Sequence, residues 1–505
     1  MTDKRPETRR SLVLIAMVLS MFMAAIEGTI VATAMPSIAA KLGGFSLYSW
    51  VFSSFLLMQA VSIPIFGKLA DLFGRKPVFI FGVVVFLVGS ILCGFASSMG
   101  MLVAFRFLQG IGAGAVNPVT TILAGDLYTL QERGRVQGYL SSVWGISSVV
   151  GPLAGGLIVE RAHWAWIFWL NIPLGVAAIV LMWRYLHEDI RHEKRSIDFA
   201  GVGLLLASVT SLMLALTESS SWGLGAAGAL LAVAAITLTL FIRQQHRAPD
   251  PVMHLELWRN RLIAPANTAT LTAGIVMIGL ISFLPTFVQG VLGSSALVAG
   301  FALSAMSVGW PLASVTAGKL FVRMGVKKIV RTGAILAAIG AMIIAFLAED
   351  GALLAGIGSF IMGVGLGLLN TTFMVAIQSS VDWTRRGVAT ASNMLMRILG
   401  NALGAAIFGG VLNYHLGNVL TRNGIADRVS LDSIQDLLGG GAAHATTLSR
   451  EMLDVLRGGL SESLHLVFWG IVAFATVTLI ISWLVPNLPK EAALPADGDI
   501  EIGGH

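Results

Sequence analysis

Two residues stand out as able to do chemistry because each interrupts a long apolar stretch: Glu27, in Ala25-Ile26-Glu27-Gly28-Thr29-Ile30-Val31, and Arg106, in Leu102-Val103-Ala104-Phe105-Arg106. An ionised carboxylate surrounded by lipid is expensive, so Glu27 must face a cavity, find a partner or become neutral. Taking a carboxyl group out of water favours its protonated form, which brings proton uptake and release within reach of neutral pH. Arg106 is the expected counterpart. At ~1.5 Å per helical residue the two lie ~13 and ~9 Å below the outer ends of their stretches, close enough to meet directly or through water. Such a pair can trade a proton and so change the local packing preference, or it can be purely structural.

A second group of charges occupies Gly67-Lys68-Leu69-Ala70-Asp71-Leu72-Phe73-Gly74-Arg75-Lys76. Its glycines permit a tight turn. Asp71 can pair there with Arg75, with Arg133 or Arg135, or with a helix N-terminus, and so lock one conformation of a small hinge. Gly145, Gly151, Pro152, Gly155 and Gly156 share one apolar stretch, where the glycines allow close helix approach and Pro152 removes a backbone hydrogen bond. Arg397 lies inside another stretch and is expected to snorkel to the headgroups. Met23, Phe55, Gln59, Trp144, Phe283, Trp310, Asn370 and Met374 are candidate cavity contacts, with ordinary packing as the alternative for each.

Other chemistries are excluded. Gly110-Ile111-Gly112-Ala113-Gly114-Ala115 follows no strand, so it is not a dinucleotide fingerprint, and no phosphate-binding G-x-x-x-x-G-K-[ST] occurs. One cysteine, Cys93, rules out an intramolecular disulfide, and the nine histidines do not cluster as metal ligands. No cofactor or metal is expected.

The elements that must hold these residues are membrane helices. The 505 residues are 56% hydrophobic and 12% charged, with mean hydropathy +0.82, whereas soluble domains carry about 25% charged residues. Apolar stretches of spanning length occur near 11–36, 46–67, 77–97, 101–124, 136–159, 163–184, 199–217, 222–242, 263–289, 297–318, 328–348, 352–377, 389–412 and 464–485. Fourteen spans follow. The basic residues gather in alternate loops, including Lys68, Arg75, Lys76, Arg133, Arg135 and Arg331, which places both termini in the cytoplasm. That distribution explains the net charge of +6 without a nucleic-acid partner.

The chain also repeats itself. Gly67-Lys68-Leu69 and Gly74 recur as Gly318-Lys319-Leu320 and Gly325, with Val322 and Val326 in place of Asp71 and Arg75. Gly110, Gly112, Gly114 and Asn117 recur as Gly363, Gly365, Gly367 and Asn370, and Arg133-Gly134 and Gly151 as Arg386-Gly387 and Gly404. The expected fold is therefore all-α and integral to the membrane: two six-helix bundles in parallel repeat plus two inserted helices, an arrangement used by transporters. The expected segments are a tail 1–10, a first bundle 11–186, an insert 187–261, a second bundle 262–485 with an outer loop 413–463, and a polar tail 486–505. Leu448, Met452, Leu453 and Leu456 would give that loop an amphipathic helix or a dock for an adaptor protein.

Together these residues resemble the major facilitator superfamily, and more narrowly its fourteen-helix drug:proton antiporters. Gly67–Lys76 resembles the family's loop 2–3 motif, Leu102-x-x-x-Arg106-x-x-Gln109-Gly110 its fourth-helix motif, and Gly145 through Gly156 its fifth-helix antiporter motif. Glu27 through Pro36 and Trp166 through Pro173 are similar to the first and sixth helices of that branch. The layout matches along the whole chain and the motifs match most specifically in the first half. Glu27 stands where the branch more usually has aspartate, which keeps the acid and lengthens its reach. The resemblance implies alternating access, export of amphipathic, cationic compounds by a monomer in a prokaryotic inner membrane, and proton import. It implies proton coupling by Glu27 and Arg106. It also implies a conformational switch at Gly67, Asp71, Gly74, Arg75, Lys76, Arg133, Gly151, Pro152, Gly155 and Gly156. Export of one metabolite, siderophore or lipid is the alternative within transport, and a non-transporting sensor or scaffold the alternative outside it.

Overall fold

The computed structural model describes residues 8–43, 47–188, 198–217, 219–249, 251, 253, 255–294, 296–423 and 450–486. Among them every regular element is helical. The helices are α1 (Arg10–Leu42), α2 (Tyr48–Phe73), α3 (Arg75–Gly94), α4 (Met99–Leu127), α5 (Leu130–Arg161), α6 (Trp166–Trp169), α7 (Asn171–Tyr185), α8 (Phe199–Thr217), α9 (Ser219–Arg247), α10 (Ile263–Gly290), α11 (Ala296–Met324), α12 (Val326–Leu347), α13 (Ala352–Ser379), α14 (Arg386–Arg422) and α15 (Arg450–Trp483). The protein is a multi-pass membrane protein. Twelve helices among the described residues are long and apolar enough to cross a bilayer, against the fourteen expected. Helices also occupy the two remaining places, α5 and α8, and the apolar run of α8, Phe199–Ala215, is shorter than the others.

Two compact units are present. The first holds the chain up to Ala264 together with Met374–Leu395, and the second holds Pro265–Phe373 and Met396–Leu488. In the first, α4 is central, with α2 and α3 packed along it and α1 against α5 and α7. The inserted pair α8–α9 packs on itself and touches this unit through α2. Ile236, Leu238 and Ile242 of α9 are exposed.

Glycines set the helix spacing. Residues two apart on a helix point in nearly opposite directions, and residues four apart share a face. Gly110 and Gly114 therefore meet α2 at Phe55 and Gln59, while Gly112 meets the backbone of Phe86 on α3. The second unit repeats this pattern: Gly363 and Gly367 meet Met306 and Trp310 on α11, and Gly365 meets Ala337 on α12. A Cβ at Gly112 would lie 2.6 Å from Phe86 Cα and 2.7 Å from the Gly82 carbonyl, with no flexible side chain to give way. Gly112→Val is expected to destabilise the first unit by about 1–3 kcal/mol, the usual cost of overpacking. A lower melting temperature in detergent, with Gly156→Ala as the unaffected control at an open site, checks this.

Ends are set locally. Ser98 caps α4 by accepting from Met101 N, and Thr129 with Glu132 forms a capping box on α5. Gly74 (φ +90) and Gly325 (φ +73) turn the chain into α3 and α12 at equivalent places of the repeat, a backbone conformation that favours glycine.

The expected outer loop 413–463 is shorter than the sequence suggested. Helix α14 runs on to Arg422 and α15 already begins at Arg450. The helix expected around Leu448–Leu456 is thus, from Arg450 onward, the first turns of α15 rather than a separate surface helix, and Leu456 is buried. Leu448 and the polar tail after Pro486 lie outside the described residues.

Candidate functional site

The first cluster joins five helices inside the first unit. Glu27 on α1 and Arg106 on α4 are in direct contact, with Nη1 donating to Oε1 at 2.6 Å, and both side chains are sealed (0% and 1% exposed). Asn171, the first residue of α7, donates its Nδ2 to the other carboxylate oxygen at 2.7 Å. Arg106 also donates Nε to the Val51 carbonyl (3.0 Å) and Nη1 to Gln109 Oε1 (2.7 Å), and Gln109 in turn donates to Ser90 Oγ (2.8 Å). The Phe55 ring lies 4.2 Å from the Arg106 Cζ, a cation–π contact. Two charges are thus removed from water and compensated by each other and by four neutral groups, the arrangement a buried pair requires.

The amide of Asn171 suits both protonation states of Glu27. Its Oδ1 is buried without a hydrogen-bond partner. A turn of the amide by half a revolution would offer that oxygen to a protonated carboxyl, since a protonated Glu gains a donor that the carboxylate lacks. Neutralising Glu27 would leave Arg106 with carbonyl and amide acceptors only, a loss that a sealed cation resists.

The second cluster is a chain of alternating charges at the turn between α2 and α3. Arg75 is fully buried. Its Nη2 donates to Asp71 Oδ1 (2.9 Å), its Nε to Asp126 Oδ2 (2.9 Å), its Nη1 to the Ala70 carbonyl (2.9 Å), and Nη2 again to the Trp383 carbonyl (3.0 Å). The Trp383 ring stacks 3.8 Å from Arg75 Cζ. Asp126 also pairs with Arg386. Asp71 accepts the first backbone N–H groups of α14, from Gly387 and Val388, at 3.0 Å each. A carboxylate at a helix N-terminus is favoured both by these bonds and by the helix dipole. Of the partners expected for Asp71, Arg75 and a helix N-terminus are present. Arg133 instead donates to the Tyr128 carbonyl and Ser379 Oγ, because it sits at the start of α5 and turns toward the end of α13. Glu188 receives the N–H groups of Arg75 and Lys76 (2.9 Å each), and Lys76 Nζ reaches the Leu186 carbonyl.

Close approach explains the remaining glycines. A Cβ at Gly67 would overlap Ala391, and one at Gly387 would overlap the Gly67 carbonyl and Asp71. On α5, Gly151 abuts Thr29 and Gly155 abuts the Ile30 carbonyl, so this helix lies against the stretch of α1 that carries Glu27; Gly156 faces open space. The side chain of Pro152 lies outside the described residues.

The candidate cavity contacts divide. Met23 is fully buried, Phe55 lies under Arg106, and Phe283 packs edge-on against Phe408 (6.4 Å). Gln59 and Met374 are buried, Trp310 backs Gly367, and Asn370 spends its amide on the Leu366 carbonyl. Trp144 alone among them is exposed, at 45%. Sequence reasoning passed over Asn171, Asp126, Glu188, Trp383 and Arg386 as site members. Asn171 could have been found as the one side-chain amide in α7.

Residues 17–405 match the profile of the Major Facilitator Superfamily. The chain is 32% identical over 513 residues to the multidrug transporter protein MdtP of Bacillus subtilis, covering 96% of this chain and 95% of that one. It is 34% identical over 447 residues to multidrug resistance protein 3 of the same organism, covering 88% and 86%. Among solved structures it superposes on the proton:xylose symporter XylE with a TM-score of 0.58 at 12% identity, covering 94% of this chain and 96% of that one. The chain belongs to the major facilitator superfamily, a family of membrane transporters and not of enzymes.

Proposed function

We propose that this protein is a proton-coupled exporter of amphipathic small molecules, working by alternating access with fourteen spans and both termini on the cytoplasmic side of a prokaryotic inner membrane. The observation that carries the coupling is the sealed Glu27–Arg106 contact with Asn171 beside it. Substrate enters from the cytoplasm or inner leaflet while Glu27 is protonated. Substrate binding favours loss of the proton and closure of the pair with Arg106. The two repeats then rock to expose the substrate outward, and reprotonation of Glu27 favours its release. Coupling exists only if proton and substrate each bind the two states unequally. The second cluster holds one of those states through Asp71 and the start of α14. The multidrug relatives support the substrate class.

The test is proton movement driven by substrate. Proteoliposomes containing a pH-sensitive dye are expected to become alkaline inside when an amphipathic substrate is added outside, beyond the change seen in protein-free vesicles. A panel that moves protons for many amphipathic compounds supports multidrug export, and a response to a single metabolite, siderophore or lipid narrows it to that compound. Absence of any substrate-driven change overturns the proposal in favour of a sensor or scaffold.

A further inference from the structure

Charge balance in the two units differs. Glu27 cancels Arg106, and Asp71 and Asp126 together cancel Arg75 and Arg386. Arg397 has no such counter-charge among the described residues. It makes no ion pair and no side-chain hydrogen bond among the described residues. Helices α10 to α14 contain no Asp or Glu at all, and Glu349 and Asp350 lie between α12 and α13, outside those helices.

The snorkelling expected of Arg397 does not fit its place. It lies 11 residues from Arg386, where α14 begins, or about 16 Å along the axis at 1.5 Å per residue. An arginine stem spans less than half of that. Its face of the helix is also the inner one. Arg397, Gly400, Asn401, Gly404 and Phe408 share one stripe. That stripe packs on α10. A Cβ at Gly274 would meet the Arg397 carbonyl and Asn401, one at Gly404 would meet Ile275, and Phe408 lies against Phe283. The lipid-facing side is marked instead by Ile407 (40% exposed) and Tyr414 (77%). One turn from Arg397, Asn401 Oδ1 is buried with no partner, so this stretch of α14 carries hydrogen-bonding capacity that the protein itself leaves unused. The Arg397 side chain is partly exposed. In the repeat it stands where the first half has Trp144, the exposed aromatic.

A cation within a spanning helix, with no counter-charge among the described residues, is a functional group by default, and a guanidinium offers five donors in a fork that matches planar anions. We infer that Arg397 is a recognition residue for substrates that carry an acidic group, a carboxylate or sulfonate on an apolar body. The charge of the preferred substrate is therefore negative, not positive as the family resemblance suggests, since Glu27 is already neutralised by Arg106, and Asp71 and Asp126, near the ends of α2 and α4, by Arg75 and Arg386. The inference rests on the export reading for the word substrate, but the site exists whether or not transport is coupled to protons.

The test is equilibrium binding with no gradient, using probes that share one apolar body: pyrenebutyrate and pyrenebutyltrimethylammonium. Saturable tryptophan-to-pyrene energy transfer is measured on the full chain in phosphatidylcholine nanodiscs. Wild type is expected to bind the anion more tightly than the cation. Arg397→Gln should weaken anion binding by about tenfold or more, the scale of a lost charged hydrogen bond, and leave or improve cation binding. Arg397→Lys should keep most of the anion preference. Retained cation binding by Arg397→Gln shows that this variant is folded. Equal binding of the anion by wild type and Arg397→Gln, loss of both probes together, or no anion binding by wild type overturns the inference. So does loss of pyrenebutyrate binding in nanodiscs that contain phosphatidylglycerol, which would assign the arginine to lipid headgroups. Failure of the proton-flux experiment with intact anion binding would instead count against proton coupling alone.

Discussion

Glu27→Gln is expected to reduce substrate-driven proton movement by about 10²-fold or more, the scale of a lost essential proton-transfer group, while leaving the protein folded. The physical basis is that glutamine removes the charge and the titration but keeps the hydrogen bonds. Its Oε1 can still accept from Arg106 Nη1, and its Nε2 can donate to Asn171 Oδ1, the oxygen that has no partner in the wild-type arrangement. Arg106 retains the Val51 carbonyl, Gln109 Oε1 and the Phe55 ring. The variant therefore mimics a permanently protonated Glu27. Flux in dye-loaded proteoliposomes, alongside an unchanged elution profile in size exclusion, checks the expectation. Equilibrium binding of substrate should persist, because the coupling step is lost and not the site. Proton-driven transport at the wild-type rate in Glu27→Gln would remove the coupling role.

The second large effect concerns Asp71→Asn. Asp71 Oδ1 accepts from both Arg75 and Gly387, and Oδ2 accepts from Val388. In asparagine one oxygen becomes an N–H donor, so either Val388 N–H or the Gly387–Arg75 pair faces another donor. The favourable interaction of a full negative charge with the start of α14 is lost as well. Charge-assisted hydrogen bonds contribute about 1.5–3 kcal/mol each, so amide exchange at Gly387 and Val388 should speed by roughly tenfold to a hundredfold. Transport should fall by about the same order, with substrate binding nearly unchanged, because a conformational lock acts on the rate of exchange between states. Arg75 keeps Asp126 and the Ala70 and Trp383 carbonyls, so the α2–α3 turn should stay folded. Hydrogen–deuterium exchange of residues 386–395 with a parallel flux measurement checks both halves. Wild-type flux with unaltered exchange at Gly387 and Val388 would show that Asp71 only decorates the turn.

The helical class and the membrane setting were legible from composition, because lipid leaves polar backbone groups no partners but one another and a spanning helix needs about 20 apolar residues. Glu27, Arg106, Asp71 and Arg75 were legible for the same reason: a charge inside or beside an apolar stretch must be explained. The glycine repeat was visible too, since spacing alone puts Gly110 and Gly114 on one face and Gly112 on the other. Sequence could not say which helices those faces meet, and it did not separate the partners of Asp71. Asp126 and Arg386 are far apart in the chain and ordinary as span-end charges; only folding puts them on either side of the same cluster. Asn171 and Glu188 were hidden likewise, an amide and a carboxylate whose roles are set by what lies across from them. The length of α14 and α15 past the apolar stretches also came from tertiary structure, since polar turns continue a helix when a neighbouring helix gives them something to pack on. The same holds for Arg397. Its sequence context reads as a lipid-edge arginine, and only the packing of Gly274, Gly400 and Gly404 turns that side of α14 inward, where the charge has no counter-ion among the described residues. One-dimensional periodicity determines which residues share a face of a helix; what that face meets, and so which charges are cancelled, is decided by contacts between segments distant in the chain.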